Sequence, residues 1–347
     1  MTLEIMFLGG SNTRMKSGYV PVLCDKLEAT TGTQLAVQNL SVGISSSLMG
    51  IERFLIDATR SRPDVIFIEY AINDVTIAIT HDIGFWRKSY EGLLRIVTRH
   101  HPAAKIYGLF FVARFPSHRV VADKMRPDMM LWAARYPNFE FIDVDAGLAE
   151  AFDTADRYHD DMHYAPQCFE TIAAIVCDRV KTSAPSAMQT LPEPVYPQSF
   201  ETATAMELAR QPNVVATRFA RSILSFQTVI LRSGETLTLE VPGEIASISF
   251  VSTPQSGILE ITDRHGSIFI PTLHRDVARN GNPLFMNAPR LWHDWTSEPD
   301  PSPQQVRLSV HDHKSQPYHS FFSMIEPTVP DTTVQLHCLL ATHGGST

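Results

Sequence analysis

Between residues 3 and 181 the chain alternates short, apolar runs with longer stretches of helical spacing. The runs are Leu3–Leu8, Leu35–Leu40, Asp64–Tyr70, Lys105–Val112 and Phe139–Val144. Around them Gly18–Thr31, Ser47–Ser61, Phe85–Arg99 and Pro166–Lys181 carry apolar residues at helical spacing. A strand that is apolar on both faces must be covered on both, and each parallel pair needs a crossover. This pattern therefore predicts an α/β domain whose parallel sheet lies between helices.

The alternation stops at KTSAPSAMQTLPEPVYPQSF, residues 181–200, with prolines at 185, 192, 194 and 197. Proline removes backbone donors and keeps its predecessor out of a helix, so the stretch reads as a linker or an extended strap. Beyond it lie short strand-like runs: Thr228–Leu231, Thr236–Val241, Ile245–Val251, Gly257–Thr262, Ile268–Leu273, Val306–Val310, Phe321–Ile325 and Val334–Leu340. Ser233-Gly234, Pro242-Gly243 and Gly281-Asn282 supply turn signals between them, and the texture predicts an all-β sandwich-like domain. Glu201–Arg210 reads as a bridging helix. The expected division is 1–185, a Pro-rich linker 186–200, and a β-rich domain 201–347.

A chain of 347 residues is long for one domain, and 44% hydrophobic against 19% charged residues rules out disorder as the default state. The net charge of −8 argues against nucleic acid or an anionic membrane surface as partner. No run is long and apolar enough for a membrane-spanning helix. The opening residues Met1–Gly9 lack a basic region and are interrupted by Glu4, so they read as a strand; taken as a native start they predict a cytoplasmic protein. Cys24, Cys168, Cys177 and Cys338 show no CxxC spacing and read as free thiols.

Four segments fall at the edges of these elements, where an open α/β sheet places its ligands. Gly9-Gly10-Ser11-Asn12-Thr13 follows the first strand; its glycines allow a sharp turn that exposes a hydroxyl, though by itself it suits a plain turn. Gly43, after the second strand, can present its N–H without a side chain in the way, or serve as an ordinary loop glycine. Asn73, after the third strand, can donate to an oxyanion or form an Asx turn. In Tyr158-His159-Asp160-Asp161-Met162-His163-Tyr164 the spacing of Asp160 and His163 lets a carboxylate orient an imidazole. The same His159, Asp160, Asp161 and His163 admit a metal site or a solvated acidic loop, although no fixed ligand spacing is complete.

Together and in this order, the four segments resemble the SGNH hydrolases, the GDSL-type esterase and lipase superfamily, over about residues 3–181. The resemblance implies a three-layer α/β/α fold, with Ser11 as nucleophile and Asp160 and His163 completing a triad. It also implies an oxyanion hole formed by Ser11, Gly43 and Asn73, and no metal or cofactor. The chain departs from the family pattern at Gly10, where aspartate is usual, and at Asn12, where leucine is usual. Ala71 replaces a glycine, and Tyr164 stands where proline is frequent.

The resulting expectation is a serine-dependent ester hydrolase acting on short acyl groups, such as acetyl, carried by a carbohydrate or small ester. Alternatives are an O-acyltransferase that uses the same acyl-enzyme and an inactive glycan-binding protein. The second half is expected to add no catalytic group, and to narrow substrate choice or mediate homo-oligomer assembly. Within it, Trp292-His293-Asp294-Trp295 suits either stacking on a sugar ring or packing at a junction.

Overall fold

The computed structural model describes residues 2–58, 61–80, 82–182, 188, 190–210, 214–221, 224–290, 300–312, 323–327 and 329–343. The chain divides into two compact units, Met1–Tyr196 and Pro197–Thr347. Trp292, His293, Asp294 and Trp295 lie outside the described residues.

In the first unit the strands are β1 (Thr2–Gly9), β2 (Gln34–Asn39), β3 (Val65–Glu69), β4 (Lys105–Leu109) and β5 (Phe139–Ile142). They form one sheet in the order β2-β1-β3-β4-β5, and every pairing is parallel. The helices are α1 (Ser11–Arg14), α2 (Tyr19–Thr31), α3 (Ser47–Asp57), α4 (Ala71–Thr80), α5 (Ile83–His100), α6 (Pro116–Arg135), α7 (Val144–Ala151), α8 (Thr154–Arg157) and α9 (Phe169–Thr182). One face of the sheet, carrying Ile5, Phe7, Phe67, Tyr107 and Leu109, packs with buried residues of α2, α7 and α9. Phe7, Phe67 and Tyr107 stack across adjacent strands with ring centroids 4.9 and 5.4 Å apart. Burying each such ring contributes about 1.5–3 kcal/mol. Among the described residues no helix is long and apolar enough to cross a membrane. The four cysteines are free thiols, all but Cys24 buried.

The α/β/α expectation is borne out, but the short α1, α7 and α8 and two longer helices, α4 and α6, were not legible. The α4 segment, AINDVTIAIT, is buried nearly all round, so no apolar stripe distinguishes it, and its β-branched residues favour an extended reading. The 20-residue α6 buries His118, Ala122, Met125, Asp128, Met129 and Trp132. That spacing is helical, but polar residues dilute it, and Pro127 sits on the exposed side.

Within the proline-rich segment, Met188 and residues 190–196 run as a strap along the first unit. The Met188 N–H donates to Pro102 O, and Arg135 donates to Glu193 O. Buried Glu91 accepts the N–H groups of Val195 and Tyr196 at 3.0 and 2.6 Å, and the Tyr196 hydroxyl donates to Asp128 at 2.7 Å. A carboxylate from α5 thus satisfies backbone donors that no strand or helix could serve.

The second unit is antiparallel β structure, as expected. Its described residues form a six-stranded sheet, a four-stranded sheet and a two-stranded pair. The strand Thr236–Val241 alternates exposed and buried residues, whereas Glu244–Ser252 is buried throughout. The turn glycines Gly234 and Gly243 have φ of +80° and +70°, a region that side chains disfavour. One local reading is corrected. Glu201–Arg210 is not a helix: Ser199–Thr204 is a strand paired with Thr333–His343, followed by a single turn, Ala205–Leu208. The β-branched Thr202 and Thr204 suit the strand, and Thr204 with Glu207 forms the capping box that opens the turn.

Candidate active site

The first three segments follow the carboxyl ends of β1, β2 and β3. The fourth loop, between α8 and the Pro166–Cys168 turn, reaches the same edge through the Arg114 N–H, which donates to Asp161 O at 3.0 Å. Ser11 opens α1 directly after Gly10, and its side chain is half-buried.

His163 Nε2 lies 2.7 Å from Ser11 Oγ. On the other side of the ring, Nδ1 lies 2.8 Å from Asp160 Oδ2. Asp160 Oδ1 also accepts the N–H groups of Met162 and His163, each at 2.8 Å. Partial burial opposes ionisation of Asp160, but these N–H groups and the imidazole together hold its carboxyl below the usual range. An ionised carboxylate only accepts hydrogen bonds, so Nδ1 carries the proton and Nε2 is left to accept from the serine hydroxyl.

Gly43 stands over the serine: a Cβ placed on it would lie 3.7 Å from Ser11 Cβ. The next residue, Ile44, has φ +55°, an uncommon conformation for a β-branched side chain, and this turns the loop at that point. Asn73 lies in the first turn of α4 and is buried. Its Nδ2 donates to Ser45 O at 2.7 Å. A Cβ on Gly10 would fall 2.2 Å from that nitrogen, so the amide occupies the space that glycine leaves open. The departure from aspartate at position 10 therefore has a steric basis.

The structure thus brings Ser11, Gly43, Asn73, Asp160 and His163 together. His159 and Asp161 are exposed and do not converge with them. Among the described residues no group of three or more His, Cys, Asp or Glu side chains is arranged to hold a metal ion. Tyr164 anchors the fourth loop: its hydroxyl accepts the Val112 N–H at 3.1 Å and donates to Val112 O at 3.0 Å. Proline could form neither bond.

Three further residues bind the serine turn to its surroundings, and sequence reasoning assigned them no role. Glu69 Oε2 accepts the Thr13 hydroxyl at 2.8 Å and the Gly10 N–H at 3.3 Å. Asn39 Nδ2 donates to Thr13 O at 3.0 Å while its Oδ1 accepts the Ser41 N–H. Asn12 Nδ2 donates to Met162 O at 3.0 Å, and its Oδ1 accepts the Tyr164 N–H at 3.2 Å. The clearest signal in the sequence was Glu69, a carboxyl ending the otherwise apolar run VIFIE.

Burial pushes Glu69 up to about 8, aided by the nearby Asp74 and opposed by its Thr13 and Gly10 hydrogen bonds. Burial likewise raises Asp74 to about 7, against its bonds to Ser47.

Residues 7–168 match the sequence profile of the GDSL-like Lipase/Acylhydrolase family. These are carboxylic ester hydrolases, and the expected enzyme class is borne out; the match ends before the second unit. The whole chain also resembles a crystal structure described as a two-domain esterase active on acetylated mannans. The two share 16% identity with a TM-score of 0.67, over 100% of this chain and 92% of the other. A structure of such an esterase co-crystallized with mannopentaose gives 0.68 at the same identity and coverage. At that identity the likeness establishes the fold. A search of curated protein sequences finds no match.

Proposed function

We propose, for a chain whose residues 7–168 form a GDSL-like acylhydrolase domain, that it removes acetyl groups from a carbohydrate ester through an acyl-Ser11 intermediate. The carrying observation is the Ser11–His163–Asp160 relay, with contacts of 2.7 and 2.8 Å. A serine hydroxyl is a weak nucleophile until a base takes its proton. His163 Nε2 accepts that proton as Ser11 Oγ attacks the ester carbonyl carbon. The resulting oxyanion is met by the Gly43 N–H, by the second N–H of the Asn73 amide, and by the Ser11 N–H. The last lies in the first turn of α1, where no intrahelical acceptor exists. Collapse breaks the ester C–O bond, and protonated His163 returns its proton to the leaving alcohol. Water then attacks the acyl-serine with His163 again as base, releasing acetate and restoring Ser11. Support for the acetyl–carbohydrate pairing comes from the two-domain relative of the same fold, described as active on acetylated mannans.

The test is turnover of p-nitrophenyl acetate with and without a sugar acceptor. Release of p-nitrophenol and acetate supports hydrolysis. Acetyl transfer to the sugar in preference to water would make the chain an acyltransferase. No turnover would leave a glycan-binding protein.

Two substitutions probe the oxyanion pocket. Asn73→Ala should lower kcat by about 10²–10³-fold with little change in KM, since such a donor acts mainly in the transition state. A raised KM at unchanged kcat would move Asn73 into ground-state binding. Gly10→Ala forces the Asn73 amide aside, and a misplacement of about 1 Å costs up to about 10²-fold. Steady-state kinetics should therefore show Gly10→Ala losing kcat in the same sense as Asn73→Ala; a fully active variant would show that the amide is not needed where it lies.

A further inference from the structure

The serine turn is tied to each of the other three segments by one side chain: Glu69 from β3, Asn39 from the end of β2, and Asn12 toward the His163 loop. Besides the Ser11–His163 contact itself, Asn12 links the turn to the backbone of the loop that carries the base. Met162 and Tyr164 flank His163 in the chain, and the Asn12 amide holds both of their backbones, Met162 O at 3.0 Å and Tyr164 N at 3.2 Å. Asn12 is buried, 4% exposed, and follows Ser11 directly.

We propose that Asn12 is a positioning residue that sets the reach of His163 Nε2 to Ser11 Oγ; the inference rests on the reading of Ser11 as nucleophile and His163 as base. Asp160 orients the imidazole through Nδ1 and holds the Met162 and His163 N–H groups. Those bonds lie within the fourth loop, so they shape it without determining its distance from the serine. Arg114 and Tyr164 hold the loop to the sheet edge, and Asn12 ties it to the serine turn itself, because one planar amide both donates to the residue before the base and accepts from the residue after it. Leucine, usual at this position in the family, has similar size but neither donor nor acceptor. In this chain the clamp therefore depends on asparagine.

The experiment uses the full chain with Asn12→Leu and Asn12→Asp, alongside Ser11→Ala. Asn12→Asp keeps the acceptor for the Tyr164 N–H and loses the donor to Met162 O. Thermal unfolding of each variant is measured first. Then come kcat and KM on p-nitrophenyl acetate, and the rate at which a fluorophosphonate labels Ser11, which reports activation of the hydroxyl without ester binding. Asn12→Leu should lower kcat by about 30–100-fold at nearly constant KM, with phosphonylation slowed in parallel; Asn12→Asp should fall between it and the parent. If Asn12→Leu does not fold, Asn12→Asp decides alone, with an expected loss of about tenfold in kcat. Folded variants that keep kcat and labelling rate within about twofold, or that change KM alone, would overturn the proposal, whatever their loss in Tm. An active Ser11→Ala would instead overturn the reading of the site on which it rests.

Discussion

Ser11→Ala should lower turnover of p-nitrophenyl acetate by about 10⁴–10⁶-fold while the protein keeps its fold. The hydroxyl is the only group removed, and its partner in the structure is His163 Nε2 at 2.7 Å. On the proposed mechanism no acyl-enzyme can then form, and only catalysis by the proposed oxyanion donors and by substrate binding would remain. The stability cost should stay within about 1 kcal/mol, because Ser11 is half-buried on a turn and loses a single hydrogen bond. Both outcomes are measurable together: initial rates give the loss, and circular dichroism with a melting curve checks the fold. Mass spectrometry of the quenched parent enzyme should find an acetyl adduct on the peptide carrying Ser11. Residual turnover above about a tenth of the parent would falsify the assignment of Ser11 as nucleophile.

His163→Ala should be as damaging as Ser11→Ala, and the double variant hardly worse, because the pair acts as one unit. His159→Ala should stay near parent activity: His159 is exposed, and its link to the loop is a backbone bond to His163 O at 2.9 Å. A crippling His159→Ala would reverse this assignment. Asp160→Asn keeps the shape but can place a donor opposite Nδ1, which favours the tautomer that cannot accept from Ser11. A loss of about 10⁴-fold in kcat is the expected size. Asp160 also carries a signature in stability. Its folded carboxyl is held below the ordinary value by the Met162 and His163 contacts that outweigh its burial. That contribution is present above the unfolded value, about 3.9, and is lost as pH falls through the folded one. Asp160→Asn should therefore destabilise the protein at neutral pH, and the gap to the parent should close in acid. A gap that persists unchanged in strong acid would show that the carboxylate charge is not its source. Incubation with EDTA should leave activity untouched; loss restored by zinc would bring back the metal reading of the same loop.

Legibility tracked how locally each signal is written. The strands of the first unit could be read because a buried parallel strand is a continuous apolar run, as in VIFIE. Helices with a clean stripe, such as Ile83–His100, could be read for the corresponding reason. Pro116–Arg135 was missed because its buried face includes His118 and Asp128, which pack only once neighbours are in place. Asp128, for example, is held by Arg87 and Tyr196, 41 and 68 residues away. The strand Ser199–Thr204 was missed because its partner is Thr333–His343.

The sequence by itself determined the α/β/α frame of the first unit and the β character of the second, and its resemblance to the SGNH hydrolases supplied the proposal of Ser11, Gly43, Asn73, Asp160 and His163. The strands and striped helices that build these units are marked by local pattern. Tertiary structure alone decided what holds these residues in register. Asn12 meets Met162 and Tyr164 across about 150 positions of chain, Glu69 reaches back to Gly10 and Thr13, and the Asn73 amide fills the space beside Gly10. Such contacts have no period and no fixed spacing. They arise when parallel strands bring their carboxyl ends to one edge, and a polar group buried there must find its partner in whichever loop lies opposite.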